Sequence, residues 1–190
     1  MSLLDDVLDH NARFVSERQG KMERMPARKV VIFTCMDTRL VDFLEPAMGL
    51  RRGDAKVIKN AGTTVLDPNG GVIRSLAVAI YALDCEEVFV IGHLDCGMTR
   101  LDVTEFEQSM LSRGVPAETI AGLKPGLSEW LGTFRDADGN VKTVARMLRD
   151  NPLIPRDVPV HGLMFDPSSG SLEVLEEGYA QAAAEKRQAR

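Results

Sequence analysis

A chain of 190 residues with 44% hydrophobic and 27% charged side chains has the composition of one globular unit, long enough for a sizeable core. Its net charge of −5 leaves no basic surplus for neutralising phosphates, which argues against a nucleic-acid partner, and its apolar runs are too short to span a bilayer. Three cysteines make a poor disulfide framework, so a clustered pair among them reads as metal-binding or catalytic.

In chain order, Leu3, Leu4, Val7, Leu8, Phe14 and Val15 fall near helical spacing and predict an amphipathic helix over residues 3–19. The same segment carries acids where a signal peptide needs positive charge, so a reducing cytoplasm is the expected location. "KVVIFT" (29–34) is continuous and β-branched, as a strand buried on both faces should be. "DFLEPAMGL" reads as a short helix ended by Gly49, and "AKVIKNAG" (55–62) as a second strand closed by Gly62. "PNGGVIRSLAVAIYALD" opens with turn chemistry and continues as a long helix with Ile73, Leu76, Ala77, Ile80 and Leu83 on its apolar face. "EEVFVIGH" (86–93) is a third buried strand. Residues 98–150 read as helices broken by Pro116, Pro125 and "RDADGN". "VHGLMFDPSSGSLEVLE" is a hairpin, and a polar, Ala-rich helix follows it.

Strand, helix, strand implies an α/β fold with a mostly parallel sheet core flanked by helices, a C-terminal hairpin supplying an edge. One domain over residues 1–190 is expected. In open sheets of this kind ligands bind beyond the carboxyl ends of the strands. Cys35 and Asp37 lie just past one strand, His93 and Cys96 just past another, so the topology brings them to one edge.

Two thiolates and an imidazole suit zinc, and the His-x-x-Cys spacing lets both side chains turn to one ion. Three ligands leave a tetrahedral site one short, the mark of a catalytic metal that makes hydroxide available near neutrality. Gly92 and Gly97 fit a backbone that bends around an ion, although Gly97 equally suits a helix start. Asp37, two residues from Cys35, can reach the metal and close the fourth position, and Arg39 can hold that carboxylate in a bidentate pair. Freed from the metal, the carboxylate can orient the hydroxide. Each part has a plainer reading: a strand-end Cys as a small hydrophobe, Asp-x-Arg as a surface salt bridge. Together they point to a site. A four-cysteine-type structural site needs another ligand, and no spare Cys or His lies near either segment. Cys85, between a helix and a strand, reads as a core thiol, His10 as solvated and His161 as structural. Trp130 reads as packing.

"CMDTR" followed by "GHLDCGM" resembles the Cys-x-Asp-x-Arg and His-x-x-Cys motifs of the β-class carbonic anhydrases. "RGDAKVIKNAG", "GGVIRSLAVAIYAL" and "NPLIPRDVPVHGLMFD" are similar to the small, archaeal-type branch of that class, so the resemblance covers nearly the whole chain. It implies Cys35, His93 and Cys96 as ligands of one zinc ion per chain, and Asp37 and Arg39 as the catalytic dyad. It also implies a homodimer or a multiple of it, with the N-terminal arm (residues 1–25) packing on the neighbouring subunit and "KNAG" (59–62) lining the cleft. Some bacterial members carry an allosteric bicarbonate site with a Trp three residues before the first Cys and an Arg before the Asn of the strand-end loop. Here those positions hold Ile32 and Lys59, so that site is not expected.

The activity so implied is reversible hydration of carbon dioxide to bicarbonate and a proton. Val57, Val65, Ile73 and Leu94 are expected around an apolar substrate pocket. Relatives with the same metal motif hydrolyse carbon disulfide or carbonyl sulfide, and the zinc ligands do not separate these reactions. A zinc-stabilised binding protein without catalysis is the third reading. The intact Asp37 and Arg39 speak against it.

Overall fold

Val30–Cys35 (β1) is buried at every residue, because it sits inside the sheet and is covered on both faces. The structure, a computed structural model, describes residues 2–16 and 23–188. Before β1 comes α1 (Leu3–Ser16). After it come α2 (Leu44–Ala47), β2 (Ala55–Asn60), α3 (Gly71–Leu83) and β3 (Glu87–His93). Then follow α4 (Val103–Ser112), α5 (Ala117–Ala121), α6 (Leu127–Leu131), α7 (Ala137–Asp150), β4 (Val160–Phe165), β5 (Leu172–Glu176) and α8 (Tyr179–Gln188). The five strands run in the order β2-β1-β3-β4-β5. The first four are parallel, and β5 returns antiparallel as the expected hairpin edge.

The strand alternation divides the core. Val31 and Phe33 of β1 and Val88 and Val90 of β3 face Ile73 and Leu76 of α3 and Val141, Val144 and Leu148 of α7. Ile32, Ile91 and Phe165 face the other way, onto Leu40, Leu44 and Leu50. β2 is an edge strand whose Val57 and Lys59 reach solvent, the Lys being one of the charges that blunt an edge.

One boundary departs from the sequence reading. "RDADGN" is a break only in its first half: Arg135 and Asp136 lie between α6 and α7, while Ala137–Asn140 form the first turn of α7, with Asp138 placed where a carboxylate complements the helix dipole. The N-terminal helix is described to Ser16, and residues 17–19 of the expected helix lie outside the described residues. Every described side chain of α1 through Val15 is exposed, including Leu3, Leu4, Val7, Leu8, Phe14 and Val15. Among the described residues no helix is long and apolar enough to cross a membrane.

Candidate metal centre

β1 and β3 pair in parallel with Thr34 opposite Ile91, so Cys35 and His93 end neighbouring strands at the carboxyl edge. Asp95 then adopts a left-handed backbone, φ 57°, which turns the chain and brings Cys96 back beside His93. The sulfurs of Cys35 and Cys96 lie 4.0 Å apart. Two thiolates on one tetrahedral zinc, each about 2.3 Å from it, stand roughly 3.8 Å apart. The ligand atoms of Cys35, His93 and Cys96 all lie within 4.8 Å of one another, and all three residues are buried.

His93 shows that this cluster fits a cation. Its Nδ1 lies 2.9 Å from the Leu94 carbonyl, which fixes the proton there and leaves Nε2 as a lone pair facing the sulfurs. That Nε2 is buried without a hydrogen-bond partner. A buried acceptor left unpaired is costly, and a metal ion is the group that two soft sulfurs and an imidazole would take together. The thiols share their protons unequally. The contact with Cys96 holds Cys35 well below the usual thiol range, and the same contact, with burial, pushes Cys96 up. Burial disfavours the His93 imidazolium, but the Cys35 sulfur and the Leu94 carbonyl outweigh it and raise its pKa.

Asp37 caps the short turn Thr38–Leu40. Its Oδ1 accepts from the Arg39 backbone N–H at 2.9 Å and from Nε at 3.0 Å, and its Oδ2 accepts from Nη2 at 2.8 Å. These bonds from Arg39 hold the carboxyl down at about 2. Oδ2 also lies 3.7 Å from His93 Nε2, so the carboxylate stands at the rim of the cluster while turned to the guanidinium. Arg39 in turn donates from Nη1 to Asp95 Oδ2 at 3.1 Å and from Nη2 to the Asp95 carbonyl at 2.9 Å, and Arg100 pairs with the same aspartate.

The five residues singled out in the sequence therefore converge. The expected lining residues are scattered, with only Leu94 beside one of the five. Val65 and Ile73 are buried in the core, Val57 lies on the exposed edge strand, and Leu94 is half exposed beside Arg39. The narrow space against His93 and Cys96 is lined instead by Gly62, Thr63, Phe134, Ala137 and Asn140. Gly92 also has a different reason: a Cβ there would stand 2.4 Å from Val141 Cγ2, so it is the close approach of α7 that requires glycine. Gly97 opens a short turn, Gly97–Thr99, the other role open to it. Cys85 is buried, and burial pushes its thiol up to about 11, as suits a core cysteine. His161 is buried among Phe89, Glu87 and Tyr179, and His10 is exposed on α1.

Three groups at the site carried no individual signal. Gly62 donates its N–H to the Cys35 sulfur at 3.4 Å. Asn140 donates to the Gly62 carbonyl, and Asp95 secures Arg39. The "KNAG" segment pointed to the loop but not to its amide, and nothing in the chain's spacing ties residue 140 to residue 62.

Fold and geometry thus define an α/β protein with a metal-competent Cys, His, Cys cluster at the carboxyl edge of its sheet. The carbonic anhydrase family model matches residues 30–172. The crystal structure of β-carbonic anhydrase isoform I from Trichomonas vaginalis is 39% identical, with a TM-score of 0.89, covering 94% of this chain and 100% of that one. β-Carbonic anhydrase 1 of Mycobacterium tuberculosis is 32% identical over 172 residues, 90% of this chain and 97% of the relative. A carbon disulfide hydrolase of Saccharolobus solfataricus is 32% identical over 160 residues, 76% of each. The chain belongs to the β-carbonic anhydrase family, and the carbonic anhydrases for which that family is named are lyases.

Proposed function

We propose that the protein catalyses the zinc-dependent, reversible hydration of carbon dioxide to bicarbonate and a proton. The observation that carries this reading is the orphaned Nε2 of His93 beside two buried thiols, with a carboxylate and guanidinium at the rim. Cys35, His93 and Cys96 would hold one zinc ion, which when bound supplies a water acidic enough to ionise near neutral pH. The rest is the work of this chain's own groups. Asp37 Oδ2 accepts a hydrogen bond and so orients the nucleophile toward the substrate carbon. Arg39 keeps that carboxylate ionised and holds it turned to the guanidinium, so that it would not itself ligate a bound ion. The product proton passes to solvent and buffer.

A single domain over residues 1–190, working in the cytoplasm, accords with the composition. A dimer, or a multiple of it, gives the apolar face of α1 a place to be buried. Hydrolysis of carbon disulfide or carbonyl sulfide is the second reading, favoured by the likeness to the Saccharolobus protein named for that activity. Stopped-flow carbon dioxide hydration beside sulfide release from carbon disulfide tests both. Rapid hydration with no sulfide supports the first reading, and the reverse result overturns it.

A further inference from the structure

Thr63 is a strained residue. It is β-branched, fully buried and held at φ 56°, directly after Gly62 at φ 73°, so two consecutive residues stand in the left-handed region. A β-branched residue is a genuine outlier there and persists only where its surroundings over-determine it. Three sets of contacts do so. The Asn60 side chain closes on Thr64, donating to its carbonyl at 2.7 Å and accepting its N–H at 3.2 Å. Thr63 Oγ1 donates to the Ile91 carbonyl at 3.2 Å. From the facing helix α7, Asn140 Nδ2 donates to the carbonyls of Gly62 at 3.0 Å and Thr63 at 3.4 Å.

What the strained turn delivers is one directed group, the Gly62 N–H at the Cys35 sulfur. No side chain fits at residue 62, where a Cβ would lie 2.8 Å from Phe134 Cε1 and 2.9 Å from Met98 Cγ. Remove the Asn140 donor and two carbonyls of a part-buried turn lose their partner. The turn then relaxes toward the right-handed region and swings the amide off the sulfur.

We propose that Asn140 is a positioning residue of the metal centre, locking the Ala61–Thr63 turn so that the Gly62 N–H donates to the Cys35 thiolate. This rests on the reading of Cys35 as a metal ligand. An N–H donor on a thiolate draws electron density from the sulfur, so an ion held there would be the more electron-poor for it. Groups that tune a ligand in this way change metal affinity or activity about 10–100-fold when lost.

The test uses the full chain with cobalt in place of zinc. Asn140→Asp keeps the size of the side chain and replaces its donor with an acceptor, and Asn140→Ala removes both. In each, the thiolate-to-cobalt charge-transfer band is expected to move to lower energy, and kcat to fall about 10–100-fold with little change in KM. Asn151→Asp is the control. Asn151 ends the same helix and its Nδ2 donates to the Pro68 carbonyl at 2.8 Å, so this variant should lose stability without moving the band. A band unmoved in both Asn140 variants overturns the proposal. If neither variant folds, the wild-type protein loaded with an NMR-active cadmium isotope decides. A scalar coupling between the metal and the Gly62 amide proton supports the proposal, and its absence overturns it. Wild-type protein that shows the cobalt band but hydrates no carbon dioxide overturns the proposed reaction alone, and the variants' bands still judge Asn140. Wild-type protein that lacks the band overturns both.

Discussion

Arg39 is held by Asp95 as well as by Asp37: its Nη1 meets Asp95 Oδ2 at 3.1 Å while Nε and Nη2 grip the Asp37 carboxylate at 3.0 and 2.8 Å. One guanidinium therefore joins the segment that carries Cys35 to the turn between His93 and Cys96. Exposed ion pairs contribute little to stability. The consequence of this one is positional, since it fixes the plane of the fork that holds Asp37. Asp95→Ala should leave the fold and the zinc content intact and lower kcat about tenfold, well short of the effect of losing Arg39 itself. Wild-type turnover in Asp95→Ala would show that Arg39 needs no second anchor.

Arg39→Ala removes the hold on Asp37 altogether. The freed carboxylate, whose Oδ2 already lies 3.7 Å from His93 Nε2, would then be able to ligate a zinc ion held by the cluster. Turnover should fall at least ~10²-fold with stoichiometric zinc retained, by analogy with the loss of a group acting in the transition state. Asp37→Ala should also impair turnover, through lost orientation and with an open metal. An Arg39→Ala protein with intact zinc and near wild-type rates would reduce the dyad to a structural ion pair.

How much of this could be read in advance varies residue by residue. Cys35, Asp37, Arg39, His93 and Cys96 were legible because each motif follows a continuous apolar run, and parallel strands place their carboxyl ends together. Asn140 was not. "RDADGN" contains the Asp-Gly pair of a turn, yet the segment continues as the first turn of α7, whose Val141, Val144 and Leu148 have core to cover. That packing overrides the local signal. Asp95 stood in plain view within "HLDC", but its positive φ and its reach to Arg39 are properties of the folded turn. Val65 and Ile73 were rightly apolar and wrongly placed at a pocket. Composition does not say which side of a sheet or helix faces a ligand and which faces the core.

Metal removal should be felt throughout the fold, because it leaves two close sulfurs and an unpaired imidazole nitrogen in a buried site. Zinc at a free concentration one hundred times its dissociation constant adds about 2.7 kcal/mol to stability by mass action. Chelation should therefore lower the unfolding midpoint, and added zinc should restore it. Cys96→Ser should lose most of the bound zinc and most of this response. Full zinc retention in that variant would remove the site as drawn.

The apolar stripe of α1 gives a prediction on assembly. Leu4 and Leu8 stand one turn apart and are 65% and 58% exposed, beside Val15 two turns further on. Burying each leucine against a partner is worth about 1.5 kcal/mol or more, so Leu4→Glu with Leu8→Glu should weaken a dimer at least ~10²-fold. Sedimentation at micromolar concentration should find wild-type protein as a dimer or a multiple of it and the double variant shifted toward monomer. A wild-type protein that is a strict monomer with full activity would sink the proposed role of this helix.

Stability should also fall on the acid side for a reason remote from the metal. His161 Nδ1 accepts the Gly178 N–H at 3.2 Å, and Nε2 stands 3.0 Å from Glu87 Oε1, whose other partner is the Tyr179 hydroxyl at 2.6 Å. A proton on Nδ1 would turn the acceptor into a second donor against Gly178 and break that bond. Burial lowers the pKa of His161 from its ordinary 6.5, with Arg149 of α7 adding to it, against the opposing pull of Glu87 on β3 and Glu177 beside α8. Because the folded pKa is depressed, the unfolded chain takes up the proton first as pH drops below 6.5. The contribution is complete above that pH and is lost progressively toward the folded pKa. His161→Asn retains an acceptor near the Nδ1 position and cannot titrate, so its unfolding free energy should depend less on pH below 6.5 than that of the wild type. Denaturant melts at matched pH values, on protein kept zinc-loaded, make the comparison. Identical slopes in the two proteins would show that His161 takes up its proton alike in the folded and unfolded chains, and that its burial contributes nothing to the pH dependence.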